Sequence, residues 1–561
     1  MDFYRNLNKR NTSLSVTIRL ILLLAITFLT IQSHGQQKSK KVIQIDHADK
    51  LLNDEQFIKG AQRLVGNVVL IHKETIMKCD SAWKYTNTNV VDAFGHVHII
   101  SRDTINLWAD FIKYNGDNEL AKARKNVTLT DPELTLTTDS LDFDLNQEIG
   151  YYNYGGKIVD SANVLTSQVG RYYTKLNEVF FTKDVKLVNE EYTIDTDTMK
   201  YNTNTEIVTF EGETTILGDS TYVYSTNGWF NTQTNELELN ENSTIRRGDT
   251  QIQAKYIFYN DNTGDGDAHG NVIINDYANK MIVLGNKAEY DDFEKYALVT
   301  DSAMWIQYYE NDSLFLHADT LYTMPDTAAE GQKLLITYHH ARFYRTDIQG
   351  ACDSLIYFTR DSTIQLYNDP VLWSLENQMT ADFIEFINKS EPPNEVYLTN
   401  NSFIIQEMDT SKYNQIKGKN MVGLINGESL YRVDVNGNGQ SIYYPADEKG
   451  FIGVNKAESS NIILYLAENQ IKRITFVGSP VGVMNPLLEV VPADTQLPGF
   501  NWRADERPVN QFDVYSNYDK SKNPTILPET DLINKLPTID EAQKALENET
   551  KKEVPKMNLS R

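Results

Sequence analysis

Apolar and polar side chains alternate with a period of two along much of the chain, in short runs separated by turns of Asn, Asp and Gly. The run Ala109-Asp110-Phe111-Ile112-Lys113-Tyr114 is representative, with Ile112 and Tyr114 sharing a parity and Lys113 between them. In an extended strand, side chains of equal parity leave the same face, so Ile112 and Tyr114 point to one side and Lys113 to the other. The same wording returns in Thr138-Asp139-Ser140-Leu141-Asp142-Phe143, Thr196-Asp197-Thr198-Met199-Lys200-Tyr201, Cys352-Asp353-Ser354-Leu355-Ile356-Tyr357 and Ala381-Asp382-Phe383-Ile384-Glu385-Phe386. An apolar residue stands two before each ring, Ile257 included, and an Asp stands four before it in these runs. This alternation predicts strands with one covered and one solvated face.

The recurrence has a fixed length. Tyr85, Tyr114, Phe143, Tyr172, Tyr201, Phe230 and Tyr259 follow one another at intervals of 29 residues, and in a chain that is 11% aromatic seven rings in strict register mark a repeat. The series continues more loosely through Tyr290, Tyr322, Tyr357 and Phe386. Each ring is followed by a polar turn such as Asn115-Gly116-Asp117-Asn118, and then by a second apolar stretch such as Gly95-His96-Val97-His98-Ile99 or Lys125-Asn126-Val127-Thr128-Leu129. Each unit is thus two strands and two turns, rich in β-branched and aromatic residues and nearly free of Pro. Two strands cannot bury a face alone, so neighbouring units must stack to enclose an interior. The expected class is all-β, an elongated repeat of mostly antiparallel strands.

The two ends read differently. Arg5, Lys9, Arg10 and Arg19 precede the apolar run Leu20 to Ile31 and then Ser33-His34-Gly35, the pattern of a cleavable secretory signal over residues 1–35. From 396 to 490 the repeat persists in divergent form. Residues 491–561, with Pro498, Pro508, Pro524, Pro528, Pro537 and Pro555 among polar residues, read as an extended, largely disordered tail. Thr538-Ile539-Asp540-Glu541 has capping-box form ahead of a short helix.

The net charge is −24, and loss of the leader would take it to −27. Such a surface repels polyanions, which argues against nucleic acid as a partner. Cys79 and Cys352 permit one disulfide in an exported chain without implying it. The acidic run Asp261-Asn262-Thr263-Gly264-Asp265-Gly266-Asp267 departs from a calcium loop, with Thr263 and Val272 where oxygen ligands would be needed, and reads as a hairpin turn. The recurrent Asp110, Asp139, Asp197, Asp353 and Asp382 could bind divalent cations as a ladder; residues of this kind more often accept backbone hydrogen bonds at strand corners. His96 and His98 fall on one strand face, and His339-His340 are adjacent, without a supporting carboxylate set. No nucleophile motif, phosphate cradle or zinc spacing is present, so the reading is of a protein without enzymatic activity or cofactor.

The unit of a small residue and Asp, an apolar-x-aromatic strand, a turn and a Gly/Asn-Val strand resembles the OstA/LptA family, whose members carry lipopolysaccharide towards the outer membrane. The resemblance covers residues 43 to about 400, and Leu497-Pro498-Gly499-Phe500-Asn501-Trp502 resembles the ending of long OstA-like proteins. It implies a twisted, V-shaped β-jellyroll in two segments, 36–215 and 216–395, in a periplasmic protein associated with outer-membrane assembly. It further implies that lipid A acyl chains ride in the interior, against Tyr85, Ile112, Tyr114, Leu141, Phe143, Tyr172, Met199, Tyr201, Phe230, Ile257, Tyr259 and Tyr290. Implied partners are lipopolysaccharide, other jellyroll proteins of the transport bridge paired edge to edge, and the outer-membrane translocon. Two other readings stay open from the residues alone: an extracellular β-solenoid that binds or processes polysaccharide, and an envelope scaffold that carries nothing. For any single ring of the aromatic column, ordinary core packing competes with a role in lining a groove.

Overall fold

A computed structural model describes residues 42–515 apart from 54–59, 161, 310, 311, 428, 449, 468 and 469. The expected signal and the short helix after Thr538 lie outside the described residues. The chain forms two compact units, one of Met1–Ser161 with Val169–Lys175, the other of Ala162–Gln168 with Leu176–Arg561.

Among the described residues there are strands and four 3₁₀ turns but no α-helix, and every strand pairing is antiparallel. Most strands up to Asp291 are 10 to 12 residues long and pair with their neighbours in sequence. Val90–Ser101, for example, runs against Ile105–Asn115 with Val91 opposite Tyr114, Ala93 opposite Ile112, and Ile99 opposite Leu107. The buried positions alternate as expected, and the class is the all-β antiparallel repeat.

The middle of each long strand was not foreseen. Gly95 and His96 adopt left-handed φ of 75° and 44°, Lys125 and Asn126 of 65° and 50°, and Glu241 and Asn242 of 65° and 50°. At each such site two residues face one on the neighbour, a bulge that bends the strand. The sequence reading began its second strands here; the strand in fact starts five residues earlier, at Leu120 in the case of Lys125, and runs through the bend. The bend is large. A straight strand spanning Thr250–Asn260 would be roughly 34 Å long, yet Arg247 just before it touches Asp261 just after it, at 3.0 Å. The strand is therefore folded back on itself at its corner. Its two halves form facing sheets around a common interior, with the corners as the closed apex and the strand ends as the mouth.

The corners also account for three of the five recurrent Asp, Asp110, Asp353 and Asp382, and for Asp319. Asp110 accepts from the Asn126 side chain at 2.8 Å, Asp382 from Asn401 at 3.0 Å, and Asp353 and Asp319 contact the imidazoles of His339 and His340 at 3.1 and 2.9 Å. The donors are side chains of left-handed residues rather than the expected backbone amides, because an outward-pointing Asn or His at the bulge lies directly opposite the carboxylate.

Beyond Asp291 several corners become chain breaks, leaving half-strands such as Tyr296–Thr300 and Met304–Tyr308 around the left-handed pair Asp301 and Ser302. Strands of 15 or 16 residues follow, from Asn394–Asp409 to Gly453–Ala467. Residues 491–515, expected as part of a disordered tail, instead form an ordered strap on the second unit. Gln415 and Gln378 hold its backbone at Thr495, Leu497, Asn501 and Arg503, and Arg507 reaches Gln349 and the carbonyl of Leu375. Its own Leu497, Val514 and Tyr515 are buried against the second unit. Proline-rich composition hid this, since the strap's amides are paired by side chains that no periodicity reveals.

Candidate functional site

The interior is not filled evenly. In the first unit the inward side chains nearest the strand ends are sealed, Leu107 and Phe143 at 0% exposure and Tyr114 at 2%. In the second unit the corresponding residues between Ile216 and Tyr290 stay in contact with solvent, at 7% for Phe230, Leu237 and Ile245 and 9% for Ile252 and Tyr290. They line a cleft of about 620 Å³ that opens at the mouth, within the few-hundred to thousand Å³ range of small-molecule sites.

Its walls are apolar. Tyr192 packs edge-on against Phe230 at 5.0 Å, and Tyr259 stacks on Tyr290 at 5.9 Å, while Ile216, Val223, Leu237, Ile245 and Ile252 complete the lining. The Tyr290 ring lies so close to Gly266 that a Cβ there would sit 2.0 Å from the ring carbon bearing the hydroxyl, so the position takes glycine. The rim is polar and mainly acidic: Glu191, Asp219, Asp261 and Asp292 against Arg247 and Lys295. Arg247 is held on one side of the rim by three acceptors, the Tyr259 hydroxyl at 2.6 Å, Asp261 at 3.0 Å and Asp292 at 3.1 Å. Burial, and after it the Asp292 carboxylate, push the Tyr259 phenol above its usual range; burial chiefly does the same to Tyr290. The Tyr290 hydroxyl, buried, has no hydrogen-bond partner among the described residues.

Of the twelve residues expected to face lipid, Phe230, Tyr259 and Tyr290 line this cleft. Ile112, Tyr114, Leu141, Phe143, Tyr172, Met199, Tyr201 and Ile257 are buried in closed interior, and Tyr85 is half-exposed with its hydroxyl on Asp92. Several of these tyrosines spend their hydroxyls inside the fold: Tyr114 on His72 at 2.8 Å, Tyr172 on Asp131, and Tyr201 on Asn163 at 3.4 Å. The sequence reading missed Tyr192, Ile216, Val223, Ile245 and Ile252, which lie away from the aromatic column yet form much of the wall.

Other candidate chemistry is absorbed by the fold. Asn260 caps the acidic turn by accepting from the amides of Asn262 and Thr263, and Gly264 closes it at φ 81°. His96 sits on the bulge against Asp80, while His98 stacks on Trp108 at 4.6 Å, so the two do not converge. Cys79 and Cys352 are both free and buried, and desolvation pushes their thiols to about 11 and about 12. Among the described residues no group of three or more His, Cys, Asp or Glu is placed to hold a metal, and no helix is long and apolar enough to cross a membrane.

The family model of OstA-like proteins matches residues 40–197 and again 198–314, which takes in the whole cleft. The crystal structure of LptH, the LptA-homologous periplasmic component of the lipopolysaccharide transport device of Pseudomonas aeruginosa, aligns at 14% identity over 21% of this chain and 82% of LptH, with a TM-score of 0.19. No curated protein matches the chain. Folded strands, a 29-residue register and this match agree, and residues 40–314 belong to the OstA-like protein family.

Proposed function

We propose that this protein binds lipopolysaccharide in the periplasm and shields its acyl chains in the jellyroll interior, as part of the transport that assembles the outer membrane. The observation that carries the reading is the apolar cleft in the second unit, open at the strand ends and lined by Ile, Val, Leu, Phe and Tyr. Each methylene that leaves water for such a wall contributes about 0.8 kcal/mol, so shielding needs neither catalysis nor a cofactor. Sugars and phosphates would remain outside, where the acidic rim disfavours entry of an anionic headgroup.

Strand addition would supply the protein partners. In the first unit Gln44–His47 and Lys50–Leu52 pair on one side only among the described residues, and Leu51 and Leu52 are exposed. In the second unit Gln470–Val477 and Val481–Pro486 form the last strands, with Val481 and Val483 exposed. Unpaired edges of this kind accept a strand from another jellyroll protein or from the translocon. A solenoid acting on polysaccharide is built from parallel coils and does not suit antiparallel ladders.

Native mass spectrometry of the protein extracted gently from envelopes tests the reading. A mass increment that resolves into lipopolysaccharide acyl species supports it. A lipid-free protein under the same conditions favours the scaffold.

A further inference from the structure

The mouth of the interior carries a second 29-residue register, in charges rather than rings. Lys73, beside one hairpin, is paired with Glu119, in a turn 46 residues on. Arg102 and Glu148, each one repeat further along, are paired in the same way. These two ion pairs close the mouth of the first unit, and their glutamates are mostly covered, at 14% and 12% side-chain exposure. The register passes next through Asp131 with Asn177 and Asp160 with Glu206, and in the second unit falls on Asn189 with Asn235, on Gly218 with Gly264, and on Arg247 with Phe293, where Arg247 reaches the adjacent Asp292. Asn189 turns its side chain back onto the amides of Glu191 and Tyr192, and the glycines have nothing to extend. Among the described residues no ion pair joins Glu191 or Asp219 to the facing turn. The cleft opens where the two neutral pairs stand, and it ends at Arg247.

We infer that the neutral pairs Asn189/Asn235 and Gly218/Gly264 form a lateral entry port for an acyl chain, and that Arg247 with Asp261 and Asp292 is the latch that bounds it. This rests on the acyl-binding reading above. The chain slides in sideways between strand ends rather than threading along the stack, because at Lys73/Glu119 and Arg102/Glu148 the strand ends are bridged by opposite charges that must separate first. The Tyr290 hydroxyl, buried beside the port without a partner, suits a ligand that brings an oxygen acceptor, an ester or a hydroxyl, into the cleft.

The test uses the full chain and cis-parinaric acid, whose fluorescence rises in apolar surroundings. Asp219→Cys and Asn235→Cys are introduced together, and the two thiols are either bridged by a bismaleimide or capped separately by N-ethylmaleimide; the native thiols are buried. Bridged protein is expected to take up the probe at least about tenfold more slowly than capped protein, and Arg247→Gln, which removes the latch, several-fold faster than the parent. Equal rates for bridged and capped protein, or no acceleration in Arg247→Gln, would overturn the port. If the unaltered protein takes up no probe at all, it is the acyl-binding reading that fails.

Discussion

Asp80 sits directly over Gly95: a Cβ on that glycine would lie 2.3 Å from the Asp80 Oδ2, the same carboxylate that holds His96 at 2.8 Å. The contact ties the left-handed corner of one strand to its neighbour. Gly95→Ala should therefore destabilise the first unit by about 1–2 kcal/mol for the left-handed alanine, with more for the clash. Adding Asp80→Ala should recover the clash but not the backbone term. Lys125 is left-handed at the equivalent corner, beside Asn126 on Asp110, so that corner accommodates a Cβ. Chemical denaturation of the two single variants and the double variant reads the coupling, and strict additivity would contradict the contact.

Closed interior and cleft should respond differently to truncation. Phe143 is wholly buried, and Phe143→Ala should cost about 3–5 kcal/mol. Ile245 already borders empty space, so Ile245→Ala should fall near the lower end of the 2–5 kcal/mol range for such changes. Thermal unfolding of both variants, with lipid content measured alongside, separates the roles: the first loses fold, the second loses lipid.

Tyr290 offers a sharper distinction. An unpaired buried hydroxyl costs about 1–3 kcal/mol, so Tyr290→Phe should leave the unliganded protein as stable or more stable. The same change should weaken binding of an acyl ligand that carries an ester or hydroxyl, and leave a plain alkyl ligand nearly unaffected. Parallel titrations with the two ligand types check this, and equal losses would contradict it.

The strap should loosen in acid. His317 Nδ1 donates to the Ala303 carbonyl oxygen at 2.7 Å and the ring lies against Tyr515 at 4.4 Å, and burial, with Arg342 nearby, lowers its pKa to about 4. The imidazole is neutral in the fold, whereas the unfolded chain takes up a proton near pH 6.5. Its contribution is thus fully present above about pH 6.5 and is lost as pH falls towards 4, by up to about 3 kcal/mol. Proteolysis of the strap at pH 7 and pH 5 should show the loss in the parent and a smaller one in His317→Gln.

Much of this fold was legible from side-chain parity and a 29-residue count, because strands with one covered face must alternate and stacked units must repeat. The corners were not, since two left-handed residues inside a strand look like a turn followed by a new strand. The cleft was legible only in part. Phe230, Tyr259 and Tyr290 stood in the aromatic column, but nothing in that column distinguishes them from Phe143 or Tyr201, which are sealed in. The proposed port places part of the distinction in the second register, where the bridged Lys73/Glu119 and Arg102/Glu148 contrast with Asn189/Asn235 and Gly218/Gly264. That signal pairs residues across a mouth that exists only once the strands are folded back.

The most direct test of the central claim is photo-crosslinking in living cells with a benzophenone residue at Ile245, inside the cleft, and at Lys255, on the outer surface of the neighbouring strand. The account predicts a lipopolysaccharide adduct at position 245 and none at 255. Adducts to protein alone at 245, or lipid adducts of equal yield at both, would contradict it.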